Sequence, residues 1–439
     1  MNNRLPYIIA ITVAVYYLAL KFTRHYSLQT FGFDLSAFDY ALANWNHSTS
    51  FFTPFFGKSY LSEHFFPSLV LFLPFHLIYP HPETLLCLQA LMVAAAGIPF
   101  YKGVFRLTGC SISATAFTLA FLMNPWIIKG VAFDFHLEML QPLAIAMIFY
   151  SLTAKRHAVF VFSMIVLLGT KENQWMSTLV LGLVLIFYRG KRVYAVSAIL
   201  LSLLTCLLVL KVWSDPDRGT ALAYYMQRYS PYGTSPFAIA GHFITHPHHM
   251  FTVESWTLFI KLILRTGILS ILTPLSLPAL PEFLVHTLSY GAQQRNLQLY
   301  YASAVVPWLF AGSAFGFATI RRVLSNRSAL IVSLMIVILS VSFTAPAAVT
   351  AESREVIKLI KSIPQGSNVS AENELIPHLK RQKDLREIKF INQDYFRWKY
   401  IVLDIRKRES IIIHMDSNSL FQRSDSSGFY LLYTKKNAN

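Results

Sequence analysis

The stretch His64-Phe65-Phe66-Pro67-Ser68-Leu69-Val70-Leu71-Phe72-Leu73-Pro74-Phe75-His76-Leu77-Ile78-Tyr79-Pro80 decides how this chain is threaded. It is apolar enough to suggest a membrane span, which needs about 20 such residues within a range of about 17–25. Pro67, Pro74, His76 and Pro80 interrupt it. If it crosses, Lys102 and Arg106 land on the opposite side from Arg4. If it lies along the outer surface, the basic clusters fall into step. Arg4, Lys102/Arg106, Lys155/Arg156, Arg189/Lys191/Arg192, Lys261/Arg265 and Arg321/Arg322/Arg327 then all face the cytoplasm, as the positive-inside bias requires. We adopt the surface reading.

Composition says what lies around that stretch. Of 439 residues 54% are hydrophobic and only 14% charged, with 35 Phe and 22 Tyr. A soluble domain carries about 25% charge, so a soluble protein is excluded, as are disorder, a coiled coil and a disulfide scaffold. The first apolar run, Leu5–Leu20, has no small-residue cleavage site behind it and reads as an uncleaved anchor. Further spans read at about 83–105, 110–128, 138–153, 157–171, 174–188, 193–213, 251–265, 268–284, 298–318 and 329–348. The expected fold is an all-α polytopic membrane protein of about eleven transmembrane helices with a small C-terminal α/β domain. The N-terminus is expected in the cytoplasm and that domain outside it, in a bacterial cytoplasmic membrane. Lys21 and Arg24 follow the first span, so the later loops carry this orientation.

The expected division is a transmembrane region, 1–348, and an extracytoplasmic one, 349–439. The net charge of +16 is shared unevenly: residues 351–439 hold 11 of the 22 acids. Asn368–Ala371, Lys389–Asn392 and Tyr400–Asp404 read as short strands between helical stretches. In a membrane chain the basic surplus reflects cytoplasmic loops, so no nucleic-acid partner is expected. Cys87, Cys110 and Cys206 lie in or beside apolar runs and read as neither disulfide nor metal cluster.

The acids ahead of residue 350 all fall outside in this topology: Asp34, Asp39, Glu63, Glu83, Asp134, Glu138, Glu172, Asp215, Asp217, Glu254 and Glu282. Acids contribute little to orientation, so their segregation points to a shared task. In Phe33-Asp34-Leu35-Ser36-Ala37-Phe38-Asp39 an acid either caps a short helix or stands at the membrane surface to take a proton from a hydroxyl. Glu63-His64 either begins the surface stretch as a helix-capping pair or joins a binding site. In Phe133-Asp134-Phe135-His136-Leu137-Glu138 three ionisable groups alternate with apolar ones, which points them one way if the backbone is extended. Such a set binds a divalent cation, through His136 and Glu138, or acts as acid and base; the alternative is an interfacial turn. Lys171-Glu172-Asn173 breaks an apolar run. Lys171 suits a phosphate as a compact point charge, or the pair merely neutralises its neighbours. Arg218, Tyr224, Tyr225, Arg228 and Tyr229 form an aromatic and cationic set fit for an anionic headgroup or a sugar ring, although interfacial aromatics also serve as anchors. His242, His246, His248 and His249 form a zinc candidate without metal-specific spacing.

No inverted repeat, glycine-rich phosphate loop or Gly-x-Ser-x-Gly elbow is present in the sequence. The polar groups collect where a lipid-linked substrate would present its headgroup.

The runs Phe33–Asp39, Glu63-His64-Phe65-Phe66-Pro67, Asp134-Phe135-His136-Leu137-Glu138 and Lys171-Glu172 together resemble an uncharacterised family of multi-spanning prokaryotic membrane proteins. That family reads Phe-Asp-Leu-Gly-x-Phe-Asp, Asp-His-Phe-Ser-Pro, Asp-Phe-His-Pro-Glu and Lys-Glu-Asp in the same order. Val369-Ser370-Ala371 and Pro377-His378-Leu379 extend the likeness into the tail. Ser36, Glu63, Leu137 and Asn173 depart from the pattern. The family in turn looks distantly like the C-type glycosyltransferases, which use polyprenyl-phosphate sugars and keep a catalytic acid in the first outer loop. The resemblance therefore implies a membrane glycosyltransferase with Asp34 as base and Asp39 in reserve. Glu63, His64, Asp134, His136, Glu138, Lys171, Glu172, Arg218 and Arg228 are the expected substrate-binding residues. The partners it implies are membrane lipid and a polyprenyl-phosphate-linked sugar, with a divalent cation as the conceivable cofactor. The rivals are a transporter or flippase for a lipid-linked or anionic solute, and a non-catalytic assembly factor.

Overall fold

The structure, a computed structural model, describes residues 4–213, 226–390 and 394–436. Contacts divide the chain into two units: residues 1–18, 61–71 and 88–344 form one, and residues 19–60, 72–87 and 345–439 the other. The tail thus folds together with the first loop, where the sequence reading drew a single boundary at 348/349.

Each apolar stretch expected to span carries helical structure, but the stretches differ in length. Leu5–Tyr26, Pro82–Thr108, Leu137–Ala154 and Arg192–Val212 are long and apolar enough to cross a membrane, being 22, 27, 18 and 21 residues. Ser111–Leu122 and Pro125–Ala132, bent by 47° at the break, make a fifth if counted as one. Among the described residues the helices of spanning length thus number four or five, against eleven stretches read from the sequence. His157–Leu168 has 12 residues, about 18 Å at 1.5 Å each against a hydrocarbon core of about 30 Å. The expected span 268–284 is broken into 3-10 turns at Ile268–Leu272 and Pro274–Ser276 and a helix at Ala279–Thr287. Pro274 and Pro278 supply no amide hydrogen to continue a ladder through it.

The stretch that opened the sequence reading is a 3-10 helix, Pro67–Phe72, followed by a helix at Leu73–Ile78. Together they cover about 20 Å, short of a crossing. Leu77 and Ile78 present apolar side chains outward while His76 is buried. On Arg192–Trp213 the outward residues are again apolar, Val196, Leu200, Leu203 and Leu207 among them, as a surface facing lipid requires.

The second unit holds a two-stranded hairpin, β1 (Phe52–Thr53) with β2 (Lys58–Ser59). It also holds a five-stranded sheet of β3 (Asn368–Ala371), β4 (Asp384–Glu387), β5 (Tyr400–Asp404), β6 (Phe421–Ser427) and β7 (Tyr430–Lys435), ordered β4-β3-β5-β7-β6. β3 runs parallel to β4 and β5, and β7 antiparallel to β5 and β6. The strand expected at 389–392 lies earlier, at β4, where Leu385 and Glu387 turn inward; Ile388–Phe390 is a 3-10 turn, and 391–393 lie outside the described residues. Helix Ala351–Lys361 starts where Thr350 Oγ1 accepts the Ser353 N–H at 3.1 Å, with Glu352 in its first turn and Lys358 and Lys361 in its last. Its Val356 and Ile360 pack on Val369, Val402 and Leu432, and Tyr40 of the first loop joins that core. That burial of a loop residue explains why the loop belongs to this unit. Ile388, Trp398 and Met415 cover the other face with Ile401 and Tyr433.

Candidate functional site

In the first unit, helix Pro125–Ala132 begins at Asn124, whose side chain accepts the Trp126 N–H. After it the chain bends at Phe133 and Asp134 and is extended at His136. The His136 N–H donates to Gln89 Oε1 at 2.9 Å, and Gln89 Nε2 donates to Gly130 O at 3.1 Å. Glu138 then lies in the 3-10 turn Leu137–Leu140. Glu138 therefore reaches the imidazole by a turn rather than by strand alternation: His136 Nδ1 lies 3.4 Å from Glu138 Oε2. Asp134 is buried as well.

The break at Lys171 comes from the end of helix His157–Leu168 at Gly169. A Cβ there would collide with Ser68 Oγ. Instead the Ser68 N–H donates to Gly169 O at 2.9 Å, and Ser68 Oγ donates to Val166 O at 2.9 Å. Lys171 Nζ then lies 2.5 Å from Glu138 Oε1 and 5.5 Å from the centre of the Tyr300 ring, on which His136 stacks at 3.5 Å. Next in sequence, Glu172 Oε1 is 3.0 Å from His64 Nδ1, and its other oxygen accepts the Phe65 N–H at 3.2 Å. Burial alone would lower the Lys171 ammonium, but the Glu138 and Glu172 carboxylates outweigh it and hold the pKa above its ordinary value. Burial alone would raise Glu172, and the His64 imidazole beside it brings it below the usual carboxylate range.

Lys171, Glu172, Asn173 and His64 form one end of a cavity of about 680 Å³ whose other polar lining is Arg228, Gln294 and His286. Arg228 Nη1 donates to Gln294 Oε1 at 3.0 Å, Gln294 Nε2 lies 3.2 Å from His286 Nδ1, and His286 Nε2 lies 3.5 Å from Glu282 Oε2. Tyr229, whose hydroxyl donates to Val285 O at 2.8 Å, has its phenol pushed up to about 12 by burial. The rest of the wall is apolar: Trp175, Leu179, Val180, Phe243 and Leu284 among others. Leu277 and Leu280 are shared with a second, mainly hydrophobic pocket of about 480 Å³ that is also lined by Trp256 and Leu309. Both side-chain amide atoms of Asn173 are buried without a hydrogen-bond partner. An unsatisfied buried amide costs about 1–3 kcal/mol, so polar atoms are held there for something the protein itself does not supply.

The structure therefore brings together His64, His136, Glu138, Lys171, Glu172 and Arg228 from the expected set, and Glu63 stands half-buried in the turn just before His64. Arg218 lies outside the described residues, as do Asp215, Asp217, Tyr224 and Tyr225. Asp34 and Asp39 fall in the second unit. Asp34 is half-buried on a single π-helical turn, Gly32–Ser36. Its geometry is fixed from the tail: the Gly32 N–H donates to Asn373 O at 2.9 Å and the Phe33 N–H to Asn373 Oδ1 at 3.0 Å. Asp39 is buried and already engaged, with His76 Nε2 at 2.8 Å and both guanidinium nitrogens of Arg381 at 2.5 and 2.8 Å. Its carboxylate is committed to structure, which removes it from reserve as a base.

A divalent cation does not fit at His136 and Glu138. Lys171 Nζ occupies the near side of the Glu138 carboxylate, and among the described residues no group of three or more His, Cys, Asp or Glu is placed to hold a metal. The exposed histidines bond to one another instead, His242 Nε2 to His249 Nδ1 at 2.8 Å.

Sequence reasoning missed His286, Gln294 and Tyr300, and named Glu282 only among the outer acids. The His286 and Glu282 pair sits one helical turn apart inside an apolar run, a detectable signal; Tyr300 had none.

Residues 24–438 match the family described as predicted membrane protein (DUF2079), and the chain belongs to that family. No curated protein matches. Among solved structures the chain resembles ArnT from Cupriavidus metallidurans, crystallised bound to undecaprenyl phosphate. The TM-score is 0.54 and the identity 11%, over 97% of each chain. At that identity the likeness is one of fold.

Proposed function

We propose that this member of the family is a glycosyltransferase of the bacterial cytoplasmic membrane, moving a sugar from a polyprenyl phosphate to an acceptor on the outer face. The observation that carries the reading is the cavity of about 680 Å³ in the membrane unit, which sets the cations Lys171 and Arg228, with other polar groups, against a wall that is otherwise apolar. A polyprenyl phosphate has the same division, and the apolar pocket beyond Leu277 and Leu280 offers room for more of its chain. The structural neighbour's bound undecaprenyl phosphate supports this choice of lipid.

In this mechanism the acceptor oxygen or nitrogen attacks the anomeric carbon while the bond from that carbon to the phosphate oxygen breaks. The family resemblance assigns the acceptor's proton to Asp34. The charge left on the phosphate is stabilised by Lys171 and Arg228, fixed donors in a dry site. His136 and Glu138 hold Lys171 in place, His64 holds Glu172, and Asn173 offers its amide to the donor. Asp39 positions the loop that carries Asp34. Arg218 and Asp134 keep the role the sequence suggests, as further binding residues.

The test is made on protein in nanodiscs carrying a polyprenyl-phosphate sugar, with mass spectrometry of products. Asp34→Asn is expected to abolish transfer and to retain undecaprenyl-phosphate binding. Full transfer by that variant, or release of the donor chemically unchanged on the other side of the bilayer, sinks the proposal.

A further inference from the structure

Four phenylalanines of the second unit meet at one place. The hairpin β1–β2 is closed by Pro54–Gly57, whose last residue has φ +66°, a left-handed conformation glycine adopts without strain. That turn carries Phe55 and Phe56. Phe33, the residue before Asp34, packs edge-on to Phe56 with ring centres 5.5 Å apart and lies 6.5 Å from Phe390. With Arg386 and Glu387 these rings line a pocket of about 350 Å³. Phe33 and Phe390 are 42% and 45% exposed, a large apolar area to leave uncovered on a unit with a complete core.

Glu387 is the second observation. It ends the edge strand β4 with its side chain only 8% exposed. Lys389 Nζ takes its Oε1 at 3.0 Å, while Oε2 is buried and has no hydrogen-bond partner. A buried carboxylate oxygen without a donor is costly, and one that lines a pocket is satisfied by a ligand's hydroxyl.

We propose that this pocket is a saccharide subsite, and that it holds a sugar ring of the acceptor beside Asp34. The juxtaposition of aromatic faces with one carboxylate and one guanidinium is what a neutral sugar needs. Its axial C–H face covers the rings, its hydroxyls donate to Glu387 Oε2, and Arg386 donates to its oxygens. An organic cation would also favour aromatic faces. It would meet Arg386 and Lys389, the latter already 4.7 Å over the Phe390 ring, against a single carboxylate. An anion would face the unpaired oxygen of Glu387. The acceptor role rests on the glycosyltransferase reading; the binding does not.

The experiment is saturation-transfer NMR on the full chain in nanodiscs, with methyl β-glucoside and choline as probes and with undecaprenyl-phosphate affinity measured on the same samples. The expected result is transfer to methyl β-glucoside and not to choline. Phe390→Ala should weaken it at least tenfold and Glu387→Gln several-fold, with undecaprenyl-phosphate affinity unchanged in both. Transfer to choline alone, to neither probe, or to the glucoside equally in both variants overturns the proposal. Loss of undecaprenyl-phosphate binding by the unmodified chain would instead count against the donor reading and leave the sugar result standing.

Discussion

Lys171 and Glu138 form an ion pair whose side chains are 14% and 10% exposed, so removing one partner strands the other. Lys171→Met leaves a buried carboxylate without its cation, which costs about 3–5 kcal/mol of stability. It also removes one charge-assisted donor from the cavity, worth about 1.5–3 kcal/mol toward a phosphate, or about 10- to 150-fold in affinity. The two effects separate in the double variant Lys171→Met/Glu138→Gln. There the stranded charge is gone, so most of the thermal stability in detergent should return. The affinity for undecaprenyl phosphate, followed by native mass spectrometry, should stay low. Lys171→Met that binds the lipid like the unmodified chain refutes the assignment of Lys171 to the phosphate. A double variant no more stable than Lys171→Met refutes the stranded-charge account.

Arg381→Ala leaves Asp39 buried beside His76 alone; a loss of about 3–5 kcal/mol is expected, read as protease cleavage of residues 19–60 and 345–439 at lower temperature. Unchanged cleavage would show that the Asp39 contact contributes nothing. Acid should weaken the second unit through His378, whose pKa burial depresses well below the ordinary 6.5, with His25 and Lys361 adding to it. Because the unfolded chain takes the proton first, that contribution is complete above about pH 6.5 and is lost as the pH falls toward the folded value; His378→Gln should flatten the melting profile there. Gly169→Ala should destabilise the first unit by about 1–3 kcal/mol through its collision with Ser68, with Ser68→Ala on the same chain recovering part of the loss of melting temperature.

The helices were legible because lipid demands apolar runs, and those survive in composition. Their lengths were not, because hydropathy does not register a break such as the one before Ala279, where prolines end a run that stays apolar throughout. The convergence of His64, Glu138, Lys171 and Glu172 was signalled by charges standing where solvation is expensive. The reserve role given to Asp39 went wrong for a reason no local pattern carries: its partner Arg381 lies 342 residues away. Likewise the strand at β4 was displaced by the apparent β pattern of Lys389–Asn392, because pairing with β3 decides which residues extend. Phe55 and Phe56 carried no signal in the sequence; the turn at Gly57 sets Phe56 against Phe33.

An anion site that contains two carboxylates needs an account of its sign. Glu138 is not among the residues that line the cavity, whereas Lys171 is. The pair therefore presents its positive end to the space and keeps its negative end behind it. Arg228 also lines the cavity, and its guanidinium donates to the neutral Gln294 amide. Glu172 does line the cavity, but its oxygens are turned to His64 and the Phe65 N–H. Position 173 decides the rest. The resembling family reads an acid there, which would set a second carboxylate at the mouth of Lys171, and such a site suits a bridging cation. With Asn173 the charge is absent and two amide atoms remain unsatisfied, which under the proposed function leaves the phosphate to be met directly by the chain's own cations and donors.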